Sequence, residues 1–507
     1  MTDTLCIALA QTNPTVGDVV GNVARLRQAR ADAAEKNADL VVSSELVVSG
    51  YPPEDLVLRP VFQDTVEREV AALAAETADG GPAMLIGAPW VQEGKLYNAA
   101  LLLDGGAISA VRFKHDLPNY GVFDEKRVFQ QGPLPGPVNF RGVRLGVMVC
   151  EDMWTGDVTE CLEESGAELL VVINGSPFED EKQDQRLNLA VARVTESGLP
   201  LIYVNQVGGQ DELVFDGGSF ALNADSSLRA QTASWREDMG LTQWRRGDSG
   251  WVCEITDRIA APEGDASVYA AMVLGLRDYV RKNGFPGVII GLSGGIDSAL
   301  TAAVAVDALG ADQVRCVMMP SPYTSDDSLE DAALCAERLG VRLDSISIGP
   351  AMGAFDDMLR DSFGDLPADT TEENIQARSR GLALMALSNK TGAMVVSTGN
   401  KSEMSVGYAT LYGDMCGGYS VLKDVYKMAV FSLSRWRNDH VPDDGLGPAG
   451  EVIPLRIITK PPSAELKPDQ TDQDTLPPYD DLDAILTGLN ERDLSIDDVV
   501  ELGYDRA

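Results

Sequence analysis

Residues 287–310, GVIIGLSGGIDSALTAAVAVDALG, restrict the fold more than any other stretch of this sequence. Val288, Ile289 and Ile290 form a short β-branched run ending in Gly291, the pattern of a strand buried on both faces of a parallel sheet. Ser293, Gly294 and Gly295 then remove side-chain bulk where backbone N–H groups approach an anion, and Asp297 and Ser298 open a helix whose positive end faces the same point. Strand, loop and helix in this order make a phosphate cradle. The common NTPase loop ends in Gly-Lys-Ser/Thr, whereas Ile296, Asp297 and Ser298 stand here without a lysine. A carboxylate beside a polyphosphate implies a cation, so Asp297 is read as a magnesium ligand. A plain βα turn would explain the glycines alone, but Ser-Gly-Gly-x-Asp-Ser after a strand is a narrower pattern.

This loop resembles that of the N-type ATP pyrophosphatases, which adenylate an oxygen acceptor and release pyrophosphate. The resemblance implies ATP as co-substrate, held by Gly291, Leu292, Ser293, Gly294, Gly295, Ile296, Asp297 and Ser298. It does not name the acceptor.

At 507 residues the chain exceeds one ordinary core and divides into at least two domains. Only two histidines are present, which nearly excludes a Ser-His-Asp triad or a histidine-rich metal site. Seven cysteines without CxxC pairs, and no evident signal peptide, point to reduced thiols in a cytoplasm. No apolar run reaches membrane-spanning length. Against 41 Lys and Arg stand 78 Asp and Glu, a formal charge of −37 that opposes nonspecific binding to nucleic acid or anionic membranes.

Three stretches of the first half carry chemistry. The opening LCIALAQTNPTVGD reads as a strand and polar loop, followed by a helix over 22–36 capped by Asn22 and a strand over 39–42. Glu45 lies just past that strand, among apolar neighbours and before the turn Gly50-Tyr51-Pro52-Pro53. Lys114 follows the β-like ISAVRF and precedes a turn that contains Tyr120 and Glu125. Cys150 ends GVRLGVMVC, at the strand edge where the ligands of α/β proteins gather. Taken singly, each has an ordinary reading: a structural carboxylate, a solvated lysine, a core thiol. Together they supply a base, a cation for an oxyanion and a sulfur nucleophile, the set that a histidine-poor amidase needs.

All three stretches resemble the nitrilase superfamily, and SGYPPEDL, LPNYGVFDE and CEDMW look like the glutaminase domain of the glutamine-dependent NAD synthetases. The resemblance implies Glu45 as general base, Lys114 as oxyanion stabiliser, Cys150 as nucleophile and Glu125 as a further carboxylate. It implies Tyr120, Ser176 and Lys182 as the residues that hold glutamine.

Alternating α/β patterning continues through LLVVI, a helix over 183–196, LPLIYVN and the hairpin-like FDGGSFALNADSSL. A linker over 259–265 precedes a helix over about 266–282. The second half then reads as a strand in VRCVMM, a helix over 328–339, a strand over 344–348, the helical TEENIQARSRGLALMALSNKTG, and a strand over 393–397 ending in TGNKSE. These alternations fit a doubly wound parallel sheet. Glu403 supplies a second carboxylate for magnesium and Thr398 a hydroxyl for nucleotide. Lys423 and Lys427 would share a face if their segment is helical, a cation pair for pyrophosphate. KPPSAELKPDQTDQDTLPPYDDLD reads as a mobile loop before one or two short helices, and so as a candidate lid.

The same resemblance extends through NIQARSR, STGNKSE, YGD, LKDVYK and KPPSAEL. It implies Asn374 and Arg378 near deamido-NAD, Glu403 near metal and substrate, and Thr398, Lys427 and Ser463 near ATP. In that family a basic C-terminal segment also contributes to the dinucleotide site, whereas this sequence ends in ELGYDRA. The expectation is an α/β protein: a nitrilase-like α-β-β-α sandwich over 1–262, then a Rossmann-like, doubly wound synthetase domain of the adenine nucleotide alpha hydrolase type over 263–507. The expected activity is ATP- and Mg²⁺-dependent amidation of deamido-NAD, with ammonia from glutamine carried along a covered route in a cytoplasmic homo-oligomer.

Overall fold

The computed structural model describes residues 3–248, 250–468 and 470–506. The chain forms two compact units, Met1–Gly264 and Asp265–Ala507.

In the first unit, strand Thr4–Gln11 explains the layering. Leu5, Ile7 and Leu9 point to one face and Cys6, Ala8 and Ala10 to the other, and all six are buried. A strand apolar on both faces must be covered on both. It lies within a seven-stranded sheet ordered Gly250–Cys253, Asp238–Gly247, Thr4–Gln11, Leu40–Val42, Ala83–Gln92, Lys95–Asp104 and Ala107–Phe113. A six-stranded sheet contains, in order, Leu228–Gln231, Phe220–Leu222, Leu201–Asn205, Leu169–Asn174, Val143–Val149 and Val138–Phe140. One apolar core joins Leu5, Ile7 and Leu85 of the first sheet to Val147, Val171 and Ile202 of the second. The outer face of the first sheet is covered by helices Val19–Glu35 and Pro60–Glu76, that of the second by Asp157–Glu164 and Lys182–Ser197. The result is the four-layer α-β-β-α sandwich expected from the sequence.

The second unit holds a five-stranded, wholly parallel sheet ordered Arg342–Ser345, Val314–Met318, Val288–Gly291, Met394–Ser397 and Tyr419–Ser420. Helices Asp265–Lys282, Ile296–Leu309, Asp326–Leu339 and Lys427–Asp439 pack on one face, Gly349–Phe363 and Thr370–Thr391 on the other. The chain runs outward from Val288–Gly291 in one direction, then returns to add Met394–Ser397 on its other side. That reversal opens a crevice at the carboxyl ends of these two strands, where doubly wound sheets bind ligands.

Local expectations are corrected in three places. The first helix is capped by Asp18, which accepts the Gly21 N–H, while Asn22 is buried inside it and bonded to Thr15. The third strand of the parallel sheet is Arg342–Ser345, two residues earlier than read, in register with Arg315–Met318. Lys423 precedes the helix that Lys427 begins, so the two do not share a helical face. As expected, the loop after Thr459 is followed by two short helices, Tyr479–Leu486 and Ile496–Glu501, and Glu465 within it bonds Ser325 and Ser328. Asp469 of that loop lies outside the described residues.

Candidate active sites

The residues expected to form an amidase centre lie at the strand ends of the first unit. The backbone of residues 44–46 crosses Gly87 so closely that a Cβ there would lie 2.3 Å from the Leu46 nitrogen and 2.6 Å from the Ser44 carbonyl oxygen. Only glycine permits that approach. Glu45, fully buried, receives the Lys114 ammonium at 2.7 Å on Oε1 and the Gly175 N–H at 2.9 Å on Oε2. Lys114 Nζ also donates to Glu125 Oε1 at 2.8 Å, and Tyr51 OH donates to the same oxygen at 3.0 Å. A buried ammonium is thus held between two carboxylates. Burial disfavours the Lys114 charge, but Glu125 and Glu45 outweigh it and hold the amine well above the usual lysine range. Burial pushes Glu125 up to about 7, against the opposing field of Lys114 and with the help of Glu45.

Cys150 follows strand Val143–Val149 with a left-handed φ of +48° and opens the single turn Cys150–Met153. Asp152 holds this elbow: one carboxylate oxygen accepts the Val149 N–H at 3.0 Å, the other the His115 and Asp116 N–H groups at 2.9 and 2.8 Å. The residue after Lys114 and the residue before Cys150 are therefore tied to one side chain. Burial pushes Asp152 up to about 6 despite those donors. Burial first, and the Glu45 carboxylate second, raise the Cys150 thiol well above the ordinary cysteine value, and Lys114 opposes them. Cys150 is therefore held as a neutral thiol.

Around this centre, Tyr120 is exposed and donates its hydroxyl to Glu151 at 2.9 Å. Ser176 accepts from Arg186 Nε at 3.0 Å, and Arg186 is itself buried against Asp216 at 2.7 Å. Lys182 lies 5.0 Å above the Trp154 ring and pairs with Glu179. Sequence reasoning missed Asp152, Gly175 and Arg186. Asp152 sits within CEDMW, where its distance of two residues from the cysteine was an available signal.

In the second unit, the loop after Val288–Gly291 is a closed set of short contacts. Gly294 has φ +83°, and a Cβ on it would lie 2.3 Å from the Ser328 carbonyl oxygen. Ser293 and Ser298 hydroxyls lie 3.1 Å apart, and the Gly295 N–H donates to Ser293 Oγ at 3.2 Å. Leu292 and Ile296 turn their side chains into the core, which leaves backbone as their contribution to a ligand. Asp297, in the first helical turn, accepts Asn400 Nδ2 at 2.8 Å and Lys427 Nζ at 2.6 Å. The same ammonium, 2 % exposed, donates to Glu403 Oε1 at 2.9 Å. Burial, then the neighbouring Asp297, pushes Glu403 up to about 7, with Lys427 opposing.

Two carboxylates thus converge on one cation beside the phosphate loop. Hard oxygen donors in this number suit Mg²⁺ that takes its remaining ligands from phosphate and water, so the residues fit the ion. Among the described residues no third Asp, Glu, His or Cys joins them.

A cavity of about 230 Å³ opens beside the loop, bounded by Gly291, Ser293, Thr398, Arg380, Leu384 and Glu465. Thr398 follows strand Met394–Ser397 and lines this cavity. Ser463 turns its hydroxyl to Gln470 O at 2.6 Å, while the following residues 464–466 line the cavity. Asn374 and Arg378 lie apart from that lining, on one helix facing the turn at Thr410 and Leu411, to which they bond at 3.0 and 3.2 Å. Arg380 was missed, although it stands in the same NIQARSR motif. It donates to Met319 O at 3.1 Å, and burial lowers its pKa.

The carbon-nitrogen hydrolase family profile matches residues 6–250 and the NAD synthase profile residues 268–507. Glutamine-dependent NAD(+) synthetase of Rhodobacter capsulatus is 51% identical over 507 residues, covering 100% of this chain and 92% of its own. The protein of the same name from Acinetobacter baylyi is 45% identical over 99% of this chain and 90% of its own. Among solved structures, the glutamine-dependent NAD+ synthetase of Acinetobacter baumannii in complex with ADP has a TM-score of 0.85 and 43% identity, over 99% of this chain and 91% of that one. The two profiles fall on the two units whose centres are described above, and full-length relatives join the same pair in the same order. The chain belongs to the glutamine-dependent NAD(+) synthetase family.

Proposed function

We propose that each unit carries one half of the family's reaction on the residues described: glutamine hydrolysis in the first, ATP-dependent amidation of deamido-NAD in the second. The observation that carries this reading is Lys114, a buried ammonium between Glu45 and Glu125 next to a neutral Cys150 thiol. A surface lysine has no reason to bear the desolvation of such a position.

In the amidase centre, Glu45 takes the Cys150 proton as sulfur attacks the carboxamide carbon, and Lys114 stabilises the oxyanion. Collapse of the tetrahedral adduct returns the proton from Glu45 to nitrogen, ammonia leaves, and a thioester remains. Water, deprotonated by Glu45, attacks the thioester and releases glutamate. Tyr120, Ser176 and Lys182 hold the amino-acid end of glutamine, with Ser176 steadied by Arg186.

In the synthetase centre, loop N–H groups and Lys427 hold the polyphosphate while Thr398 and the cavity take the nucleoside. The nicotinate carboxylate attacks the α-phosphorus and pyrophosphate leaves. Ammonia then attacks the carbonyl carbon of the adenylate, AMP leaves, and NAD is formed. Asp297 and Glu403 would hold Mg²⁺, which when bound neutralises charge on the departing pyrophosphate. Asn374 and Arg378 hold deamido-NAD. We further read the enzyme as a cytoplasmic homo-oligomer. All seven cysteines are free thiols, consistent with a reducing compartment. Sedimentation of the purified protein tests the assembly.

Cys150→Ala tests the division of labour. Glutamine-driven NAD synthesis should vanish while synthesis from added ammonium salt persists near the parent rate. Equal loss of both would sink the scheme.

A further inference from the structure

Asn98 lies on strand Lys95–Asp104 of the amidase unit, opposite Pro89 and fully buried. Its side-chain nitrogen donates to Glu45 Oε1 at 2.7 Å and reaches Glu125 Oε2 at 3.5 Å. Its backbone carbonyl accepts the Lys114 N–H at 2.8 Å. One residue therefore touches the base through its side chain and the cation through its main chain. The amide orientation is dictated by charge: turned over, its oxygen would face two carboxylates.

That orientation leaves Asn98 Oδ1 without a hydrogen-bond partner among the described residues, although it is buried. Such an orphan acceptor is unfavourable, and an apolar side chain of the same size would avoid it. Packing alone does not account for an asparagine here. We propose that Asn98 is a positioning residue of the amidase centre, whose amide nitrogen fixes the Glu45 carboxylate so that one oxygen stays available to the Cys150 proton. Without it, Oε1 retains only Lys114, and the carboxylate is free to turn further toward that ammonium. Such a turn draws the base away from sulfur and the cation away from the oxyanion. The inference rests on the reading of Glu45 as general base.

The test compares Asn98→Leu, Asn98→Asp and Glu45→Gln in the full-length enzyme. Each is assayed for glutamine hydrolysis, for ammonia-driven NAD synthesis, and for the thermal midpoint. Loss of the positioning amide should lower glutaminase kcat by about 10²-fold, the scale of a misplacement near 1 Å, with KM changed less than about threefold. Asn98→Leu removes the orphan oxygen together with a donor to two buried carboxylates, opposing effects that should leave the thermal midpoint little changed. Asn98→Asp, which matches the shape but places a third carboxylate at the centre, should lose glutaminase activity at least as far. Ammonia-driven synthesis should stay at the parent level in both. A kcat within about threefold of the parent in Asn98→Leu would overturn the proposal, as would a loss that follows a fallen thermal midpoint and lost ammonia-driven synthesis. Parent-like turnover in Glu45→Gln would instead remove the reading of the base, and the proposal with it.

Discussion

Glu125→Gln tests the electrostatics of the amidase centre in a form that can be calculated. The Glu125 carboxyl rises from 4.5 to about 7, with burial as the first cause. Glu125 faces the Lys114 ammonium at 2.8 Å, so the two titrate as a pair. The folded protein keeps the carboxyl proton at pH values where the unfolded chain has lost it. Stability is therefore intact below pH 4.5 and falls as pH rises to about 7, beyond which the loss is complete. At about 1.4 kcal/mol per pH unit, a rise of this size corresponds to a penalty on the order of 3 kcal/mol above neutrality. Glutamine in place of Glu125 keeps the shape and an acceptor for Lys114 and Tyr51, and cannot ionise. The variant should match the parent at about pH 5 and exceed it by about 2 to 3 kcal/mol at about pH 8.5. Urea unfolding of both proteins across that range measures the difference. Glu403, also near 7, and Asp152, near 6, titrate alike in both and cancel. Parallel stability curves, with no growth of the difference between the two ends, would refute the reasoning.

Three further substitutions probe the other assignments. Asp297→Asn should impair NAD formation from glutamine and from ammonia alike while the near-isosteric fold survives, as a magnesium titration of ammonia-driven synthesis would reveal. Gly294→Ala puts a Cβ 2.3 Å from the Ser328 carbonyl oxygen at a φ of +83°. It should abolish NAD synthesis from either nitrogen source and leave glutamine hydrolysis working, provided hydrolysis is assayed separately. Lys114→Arg keeps the charge, but a planar guanidinium does not fit a fully buried ammonium site, so glutaminase turnover should fall by 10²-fold or more, on the order of losing one oxyanion donor.

The strands that carry the chemistry were legible because their signals are local. Val143–Val149 is a run interrupted only by the exposed Arg144 and ends at Cys150, and Val288–Gly291 stops at a glycine-rich loop. The start of helix Lys427–Asp439 was not legible. Its first N–H groups are accepted by Ser402 Oγ at 2.8 Å and Asp483 Oδ2 at 2.8 Å, residues 25 and 55 positions away in the chain. Caps borrowed over that distance leave no mark at the helix itself, so Lys423 looked as helical as Lys427. Asn22 misled in the opposite sense. A good capping residue by type, it lies inside its helix because Asp18 already serves the first turn. Within the proposed amidase centre, residue types singled out Glu45, Lys114 and Cys150. Asp152 and Gly175, which hold them in place, act through backbone N–H geometry that exists only once the strands are assembled.

The raised Cys150 thiol carries a consequence for oxidative exposure. Peroxide and alkylating electrophiles react with thiolate, and a thiol held neutral by burial and by Glu45 presents little of it in the free protein. On the proposed mechanism, nucleophilicity in this centre is made during turnover, by proton transfer to Glu45, and is not stored in the resting state. Chemical damage should therefore fall first on the more open thiols of Cys161 and Cys416, which leaves the amidase active after those have been modified.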